Sequence, residues 1–369
     1  MGTTKVGDFD IDQEEAIRLL RIPNPHGKPN SDVLRPFRNE SDLVRVCSHR
    51  WIVDFGVGTS LEQASLFMGP FEYLTKHVKA SREMNNDKWR RKNWWLLGRT
   101  LPDFRKATAL KKRYIGTPTV AKHRIFVWLD SMILPDAKVI AIAYDDDYSF
   151  GILHSRSHEL WTLANCGWHG IGNDATYNPT TCFQTFVFPD PSETQRLAIA
   201  TAARDLEALR SRWLDPPEWT REEVLEFPGS IDGPWSRFVH EPDDRGIGTV
   251  RYPVLKPRTG AIGKELADRT LTNLYNKPPA WLEAAHRRLD EAGVRQRILA
   301  TARSSPLAAP PPQPSPTRGE GVGGARPGRF GPPPPSWGRV GVGGWSRLVP
   351  ESAGAPMRPS SPRTVGIPA

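Results

Sequence analysis

Cysteine is scarce in this chain, and what there is lies scattered. Cys47, Cys166 and Cys182 stand alone, with no Cys-x-x-Cys pair. An odd, isolated set of thiols excludes a disulfide framework and the paired ligands of a zinc ribbon, and reads as reduced cysteine. Long apolar runs are missing too. None approaches the ~20 residues that a helix needs to cross a bilayer, so no membrane partner is expected. The opening residues MGTTKVGDFDIDQEEA carry acidic groups and no apolar stretch, and do not read as a secretory signal. Acidic residues are scarce at one end: from Arg303 onward eight arginines face only Glu320 and Glu351. Two thirds of the net charge of +9 therefore lies in that tail. Net charge by itself is thus a poor argument for a nucleic-acid partner, and local clusters must carry it.

Proline and glycine are plentiful, 36 and 31 of 369 residues, and their excess sits after about Ser304. Two similar blocks, PLAAPPPQPSPTRGEGVGG and GPPPPSWGRVGVGG, dominate there and resemble translated non-coding repeats. Such composition cannot bury enough apolar surface to offset the cost of ordering the chain. Residues 301–369 are predicted to be a disordered Pro/Gly-rich tail.

Before the tail, the pattern predicts helices and strands in alternation. Asp12, with Glu15 three residues on, starts a helix through Arg21. Residues 50–55 read as a strand, and a second helix begins at Leu61. Residues 73–91 form a basic helix. Strands are predicted at 114–117, 125–129, 139–144, 150–153 and 185–188, with short turns between. Residues 154–164 read as a short helix. The clearest helix runs over 192–213, where Leu197, Ala198, Thr201, Ala202, Leu206 and Leu209 recur at helical spacing. Further helices are predicted at 221–227, 270–275 and 279–292.

Four motifs invite a chemical reading. Asp54-Phe-Gly-Val-Gly-Thr-Ser60 resembles a glycine turn that holds S-adenosylmethionine, but no parallel βαβ series follows it, and an ordinary strand–turn–helix accounts for it. Asp215-Pro-Pro-Glu-Trp219 resembles the Asp/Asn-Pro-Pro-aromatic tetrad of amino-methyltransferases, with its aromatic one place late. It reads more simply as a helix terminator between two helices. Asp145-Asp-Asp147 lacks the Glu-x-Lys partner of a nuclease site and reads as a solvated turn. His154 and His158 have the i, i+4 spacing of zinc ligands but no evident third ligand. No catalytic, cofactor or metal residues are therefore assigned.

The basic clusters are more informative together. Trp89-Arg-Arg-Lys-Asn-Trp-Trp95, Arg99, Arg105-Lys106, Lys111-Lys-Arg-Tyr114, Lys122-His-Arg124 and His154-Ser-Arg156 crowd into one region, with aromatic residues between them. Lysine and arginine neutralise phosphates, and arginine, asparagine and glutamine read base edges. The region suits a polyanion.

Longer motifs then make a family resemblance visible. They are Arg50-Trp-Ile-Val-Asp-Phe55, Trp94-Trp-Leu-Leu-Gly-Arg99, Arg113-Tyr-Ile-Gly-Thr-Pro118, Val120-Ala-Lys-His-Arg-Ile-Phe-Val-Trp128, Asp146-Asp-Tyr-Ser-Phe-Gly-Ile-Leu-His-Ser-Arg156, His158-Glu-Leu-Trp161, Tyr177-Asn-Pro-Thr-Thr-Cys-Phe-Gln-Thr-Phe186 and Leu271-Thr-Asn-Leu-Tyr-Asn276. In this order, over about residues 7–292, the chain resembles the C-terminal target-recognition region of MmeI-like restriction–modification enzymes and their methyltransferase relatives. The resemblance implies sequence-specific recognition of double-stranded DNA for methyl transfer from S-adenosylmethionine to adenine N6. It also implies a bacterial, cytoplasmic and nucleoid-associated setting. The family places its cofactor fold and catalytic motif upstream of this region. The chain is thus expected to lack them, to bind no cofactor itself, and to act with a separately encoded catalytic domain. The resemblance stops at Ala292, as a frameshift or gene decay there would produce.

The fold expected is α+β: a mainly β target-recognition domain with helical insertions over 1–190, a helical segment over 191–300, then the disordered tail. Lys111, Lys112, Arg113, Lys122, Arg124 and Arg156 are the candidates for DNA contact, with Trp94, Trp95 and Tyr114 as packing or sugar contacts. Two alternatives remain: a self-contained methyltransferase using Gly56–Ser60 and Asp215–Trp219, and a non-functional remnant.

Overall fold

Short strands and short helices alternate, as the frequent polar and proline breaks dictate. The computed structural model describes residues 1–169 and 174–294. Strand β1 (Asp10–Ile11) leads through the Asp12 cap into helix α1 (Gln13–Arg21), where Asp12 accepts from the Glu15 N–H at 2.8 Å. Next come β2 (Leu34–Arg38), α2 (Glu40–Val44) and β3 (Trp51–Val53). A helical stretch follows: α3 (Leu61–Ser65), α4 (Met68–Leu74), α5 (Ala80–Glu83), α6 (Lys88–Lys92) and α7 (Pro102–Thr108). Then come β4 (Arg113–Pro118), β5 (Val120–Ala121), β6 (Val127–Asp130), β7 (Leu134–Pro135) and β8 (Val139–Ile142). Helices α8 (Asp147–His154) and α9 (Arg156–Asn165) precede β9 (Gly167–His169) and β10 (Asp174–Thr176). The last described part holds α10 (Glu193–Leu214), β11 (Thr220–Ser230), β12 (Val239–His240), β13 (Ile247–Pro257), α11 (Gly260–Asp268), α12 (Leu271–Asn276) and α13 (Ala280–Leu289).

Among the described residues the strands form four small sheets, ordered β1-β3-β2-β7, β6-β4-β8, β5-β10-β9 and β11-β13-β12. Every pairing is antiparallel except β2 with β7. Two apolar cores hold them. The first gathers α1, the β1–β3 sheet, residues 94–97 and the inner face of the β11–β13 hairpin. Its centre is Trp235, which stacks on Trp51 at 5.4 Å and donates from Nε1 to the Leu34 carbonyl at 3.0 Å. The second joins Ile115, Phe126 and Ile140 to the apolar sides of α8, α10, α12 and α13. Here α8 and α10 approach closely at Gly151, where an added Cβ would come within 2.9 Å of Ile199 and 3.1 Å of Ala203. Each core draws on residues from both sides of position 190.

Several expectations change. Residues 150–153 are not a strand but part of α8, because Asp146 caps that helix by accepting from the Ser149 N–H at 2.8 Å. Their all-apolar run has no period, so the cap decides. Residues 185–188 form no strand. Phe186 and Phe188 instead pack edge-on at 5.3 Å. Residues 221–227 are not helical. They lie in β11, paired from Thr220↔Pro257 to Ser230↔Ile247. A distant partner overrides local preference there, and the segment after 190 is mixed rather than helical. The basic stretch 73–91 is helical as far as Glu83, with a π-helical turn over Thr75–Lys79, and is interrupted only at 84–87 before α6. Arg82 in it is buried, donating to the Lys5 and Leu96 carbonyls. The expectation for 301–369 lies outside the described residues.

Candidate nucleic-acid interface

Strand β4 separates the basic candidates into two groups. Lys111, Lys112 and Arg113 stand at its start, and Lys122 and Arg124 follow its end. A six-residue strand covers ~20 Å at 3.3 Å per residue, so the two groups are not one cluster.

The cations at the start of β4 are mostly paired. Lys111 Nζ lies 2.7 Å from Asp145, and Arg113 Nη2 lies 2.7 Å from Asp147. The Arg113 guanidinium also stacks 3.7 Å from the Trp128 ring centre. Arg204 shares Asp147 at 3.3 Å. The Asp145–Asp147 run thus does more than cross a solvated turn: two of its carboxylates balance charge and the third caps α8. Lys112 is exposed, and its ammonium has no ion-pair partner among the described residues.

The aromatic candidates at this end face inward. Tyr114 is fully buried, donates to the Ile133 carbonyl at 3.1 Å and meets Phe104 edge-on at 5.0 Å. Burial pushes its phenol pKa far up. Trp94 and Trp95 are buried at right angles to each other, and Trp95 Nε1 donates to the Thr59 carbonyl at 2.9 Å. Of the packing and sugar contacts considered for them, the geometry provides the packing.

At the far end Arg124 works as a clamp. Its Nη1 donates to Thr117 Oγ1 at 3.1 Å and to the Pro118 carbonyl, and its Nη2 donates to the Ala175 carbonyl at 3.0 Å. Its guanidinium lies over the Tyr177 ring, 4.9 Å from the centre. Arg124 therefore ties β4 to β10. Burial lowers its pKa to about 10. Arg156, at the start of α9, pairs with Glu159 at 2.5 Å, and its backbone N–H donates to Asp290 at 3.0 Å.

The clamp holds a small exposed ribbon. β5 pairs with β10, and β10 with β9, in the register Ala121↔Ala175↔Trp168. All of β9 is exposed, and Trp168 keeps 52% of its surface in water. His169 stands opposite Asp174. Directly after β5, Lys122 Nζ and His123 Nε2 each reach Asn276 Oδ1 at 2.9 Å. Pairing through β10 thus connects Trp168 and His169 of β9 to the end of β5, where Lys122 and His123 meet Asn276. Of these the sequence reading named only Lys122 as a DNA-contact candidate, with His123 inside the same basic cluster. The glycine-flanked Trp168-His169 pair was the available signal for the ribbon.

Behind the ribbon the buried histidines His154 and His158 are uncharged. His158 donates from Nδ1 to the Leu153 carbonyl at 2.9 Å and accepts from the Tyr177 hydroxyl at 3.0 Å. Burial lowers its pKa to about 3. His154 accepts from Arg210 and pairs Nδ1 with the Phe150 carbonyl at 3.1 Å, so both its nitrogens are engaged. Asp54, at the glycine turn, is held by Arg105 at 2.7 Å and by Arg35 at 3.6 Å. A carboxylate so engaged does not fit the role of holding a cofactor hydroxyl. Asp215 ends α10, and Trp219 lies under Arg269 at 3.9 Å just before β11. That tetrad-like run therefore joins a helix to a strand, not two helices.

This surface belongs to a mixed α+β fold of small sheets with helical insertions. The fold is similar to part of a solved structure of the Type IIL restriction-modification enzyme MmeI in complex with DNA, at a TM-score of 0.54 and 17% identity, covering 83% of this chain and 33% of that one. The chain spans about a third of the length of that enzyme. No family model matches the sequence, and no curated protein matches it. Among the described residues no helix is long and apolar enough to cross a membrane.

Proposed function

We propose that this chain recognises double-stranded DNA in a sequence-specific manner, as the target-recognition part of a site-specific adenine-N6 methyltransferase of the restriction–modification type. The observation that carries the reading is the exposed β9–β10 ribbon with Trp168 and His169, flanked by Lys122 and His123, on a fold similar to that of a DNA-complexed enzyme. Lys112 and Lys122 would bind phosphates and set the register on the duplex. The ribbon would enter a groove, where His169 and Asp174 offer polar groups to base edges. Lys111, Arg113 and Arg156 already have carboxylate partners, and would take phosphates only by exchanging them. Trp94, Trp95, Tyr114 and Arg124 support the surface from within. S-Adenosylmethionine chemistry is assigned to a partner catalytic domain, because Asp54 before the glycine turn is already engaged by Arg105 and Arg35.

Selection from a random pool of duplexes tests the proposal. Recovery of one defined motif is the expected result. Retention that depends only on salt, with no motif recovered, overturns sequence-specific recognition.

A further inference from the structure

Asn276 lies outside every basic cluster, yet the Lys122–His123 loop rests on it. It closes α12, and its Oδ1 accepts from Lys122 Nζ and from His123 Nε2, each at 2.9 Å. A lysine ammonium has only protons to give, so the amide atom facing it is the oxygen. That settles the orientation of the amide, which hydrogen-bond partners must otherwise decide. The same oxygen requires a proton on His123 Nε2.

One consequence concerns the other half of the amide. With Oδ1 occupied twice, Nδ2 diverges from it carrying two N–H donors, and these meet no acceptor among the described residues. Asn276 is exposed, and so is Lys277 after it. Lys122 gives one proton to Asn276 and keeps two more. A free asparagine offers a donor and an acceptor together and reads adenine through both. Asn276 has only its donors left to offer.

We propose that Asn276 is a donor-only contact to the bound duplex, locked in that state by Lys122 and His123. It takes a hydrogen-bond acceptor on the DNA: a backbone phosphate oxygen or a base-edge acceptor such as purine N7. The proposal rests on the DNA-binding reading above.

Asn276→Asp separates this role from a merely supporting one. The aspartate keeps an oxygen towards Lys122 and His123 and holds the ammonium more firmly, but it replaces both donors with an acceptor. Asn276→Ala removes donors and support together, without adding charge. Binding of the full chain is measured at fixed salt to a duplex recovered from the random pool, or to random duplex if none is recovered. Both variants are expected to bind about tenfold more weakly, with the thermal unfolding midpoint unchanged. Duplexes carrying single methylphosphonate or 7-deazapurine substitutions then locate the acceptor. At one position the wild-type chain should lose affinity and Asn276→Ala should not, and the analogue responsible tells phosphate from base. Wild-type affinity in Asn276→Asp, or no such position, overturns the proposal. If Trp168→Ala abolishes sequence preference while Asn276→Asp changes nothing, this proposal alone fails. If the wild-type chain binds no duplex, both fail.

Discussion

Arg210 Nη1 donates to His154 Nε2 at 3.0 Å, deep between α10 and α8, while Arg210 Nη2 donates to the Phe126 carbonyl at 3.0 Å. The nearest carboxylate is Glu207, at 3.5 Å. A buried guanidinium is thus held largely by neutral acceptors, and it fixes the tautomer of His154. It joins the loop after Arg124 to the long helix. Arg210→Ala takes the donor from the Phe126 carbonyl, leaves His154 Nε2 only the Phe126 N–H at 3.3 Å, and opens a cavity. We predict a loss of about 3 kcal/mol in unfolding free energy, read from urea unfolding. Unchanged stability would show that the bridge contributes nothing net.

The histidines of this interior should make stability fall in mild acid. Burial lowers the His158 pKa to about 3 and the His286 pKa to about 4, and burial with the Arg210 charge drives His154 well below its ordinary 6.5. In the unfolded chain all three take up protons near 6.5. Below that pH the unfolded state binds protons that the folded state refuses, so folding weakens as pH falls from about 6.5 towards 4. The loss at pH 5 is on the order of 2 kcal/mol per ring. Urea unfolding at pH 7.5 and pH 5 checks it, and equal midpoints would contradict it.

Arg124 should behave as a support and not as a phosphate ligand. Its contacts to Thr117, Pro118 and Ala175 hold the ribbon against β4. Arg124→Ala should speed amide exchange in β9 and β10 and weaken sequence preference. It should leave the slope of log affinity against log salt unchanged, because no phosphate contact is lost. A slope reduced by about one unit would instead place Arg124 on the DNA backbone.

Local chemistry was legible in the sequence, and side-chain direction was not. Asp12 announced α1, because a cap and its helix are neighbours, and apolar spacing announced α10, because a helix face repeats within a few residues. Strand β11 was missed because its partners, Ile247–Pro257, lie far along the chain and Val224 points outward against the simple pattern. Trp94 and Trp168 both sit among polar and basic residues in the sequence. Packing buries the first to 7% exposure and leaves the second at 52%. Lys122 was visible within Lys122-His-Arg124, but its partner Asn276 stands 154 residues away, beyond the reach of any local pattern.

Lys112 and Lys122 provide the test of phosphate positioning. Lys112 has no ion-pair partner among the described residues, and Lys122 is held by a neutral amide, so neither must abandon a carboxylate to meet DNA. Each alanine variant should weaken binding about equally for all sequences and reduce the salt slope by about one unit. Lys111→Ala should do less, because the ion pair it breaks already offset its charge. An equal effect at all three positions would mean that the Asp145 pairing does not persist in the complex.

Trp168 is the sharpest test of the ribbon itself. Its ring stands opposite Ala175 on a three-stranded ribbon, half in water, and the core closes without it. Removing it should cost the fold little. If the ribbon enters a groove, the indole supplies apolar area against sugars or a thymine methyl, and the contact forms only in the complex. Trp168→Ala should therefore bind its selected duplex about tenfold or more weakly and leave the thermal midpoint in place. The salt slope should persist, since Lys112 and Lys122 remain. Footprints of variant and wild type on the same duplex would locate the loss: protection should shrink where the ribbon lies and persist where the lysines sit. A variant that keeps both affinity and preference would remove the ribbon from the reading surface and leave only the charges at the ends of β4.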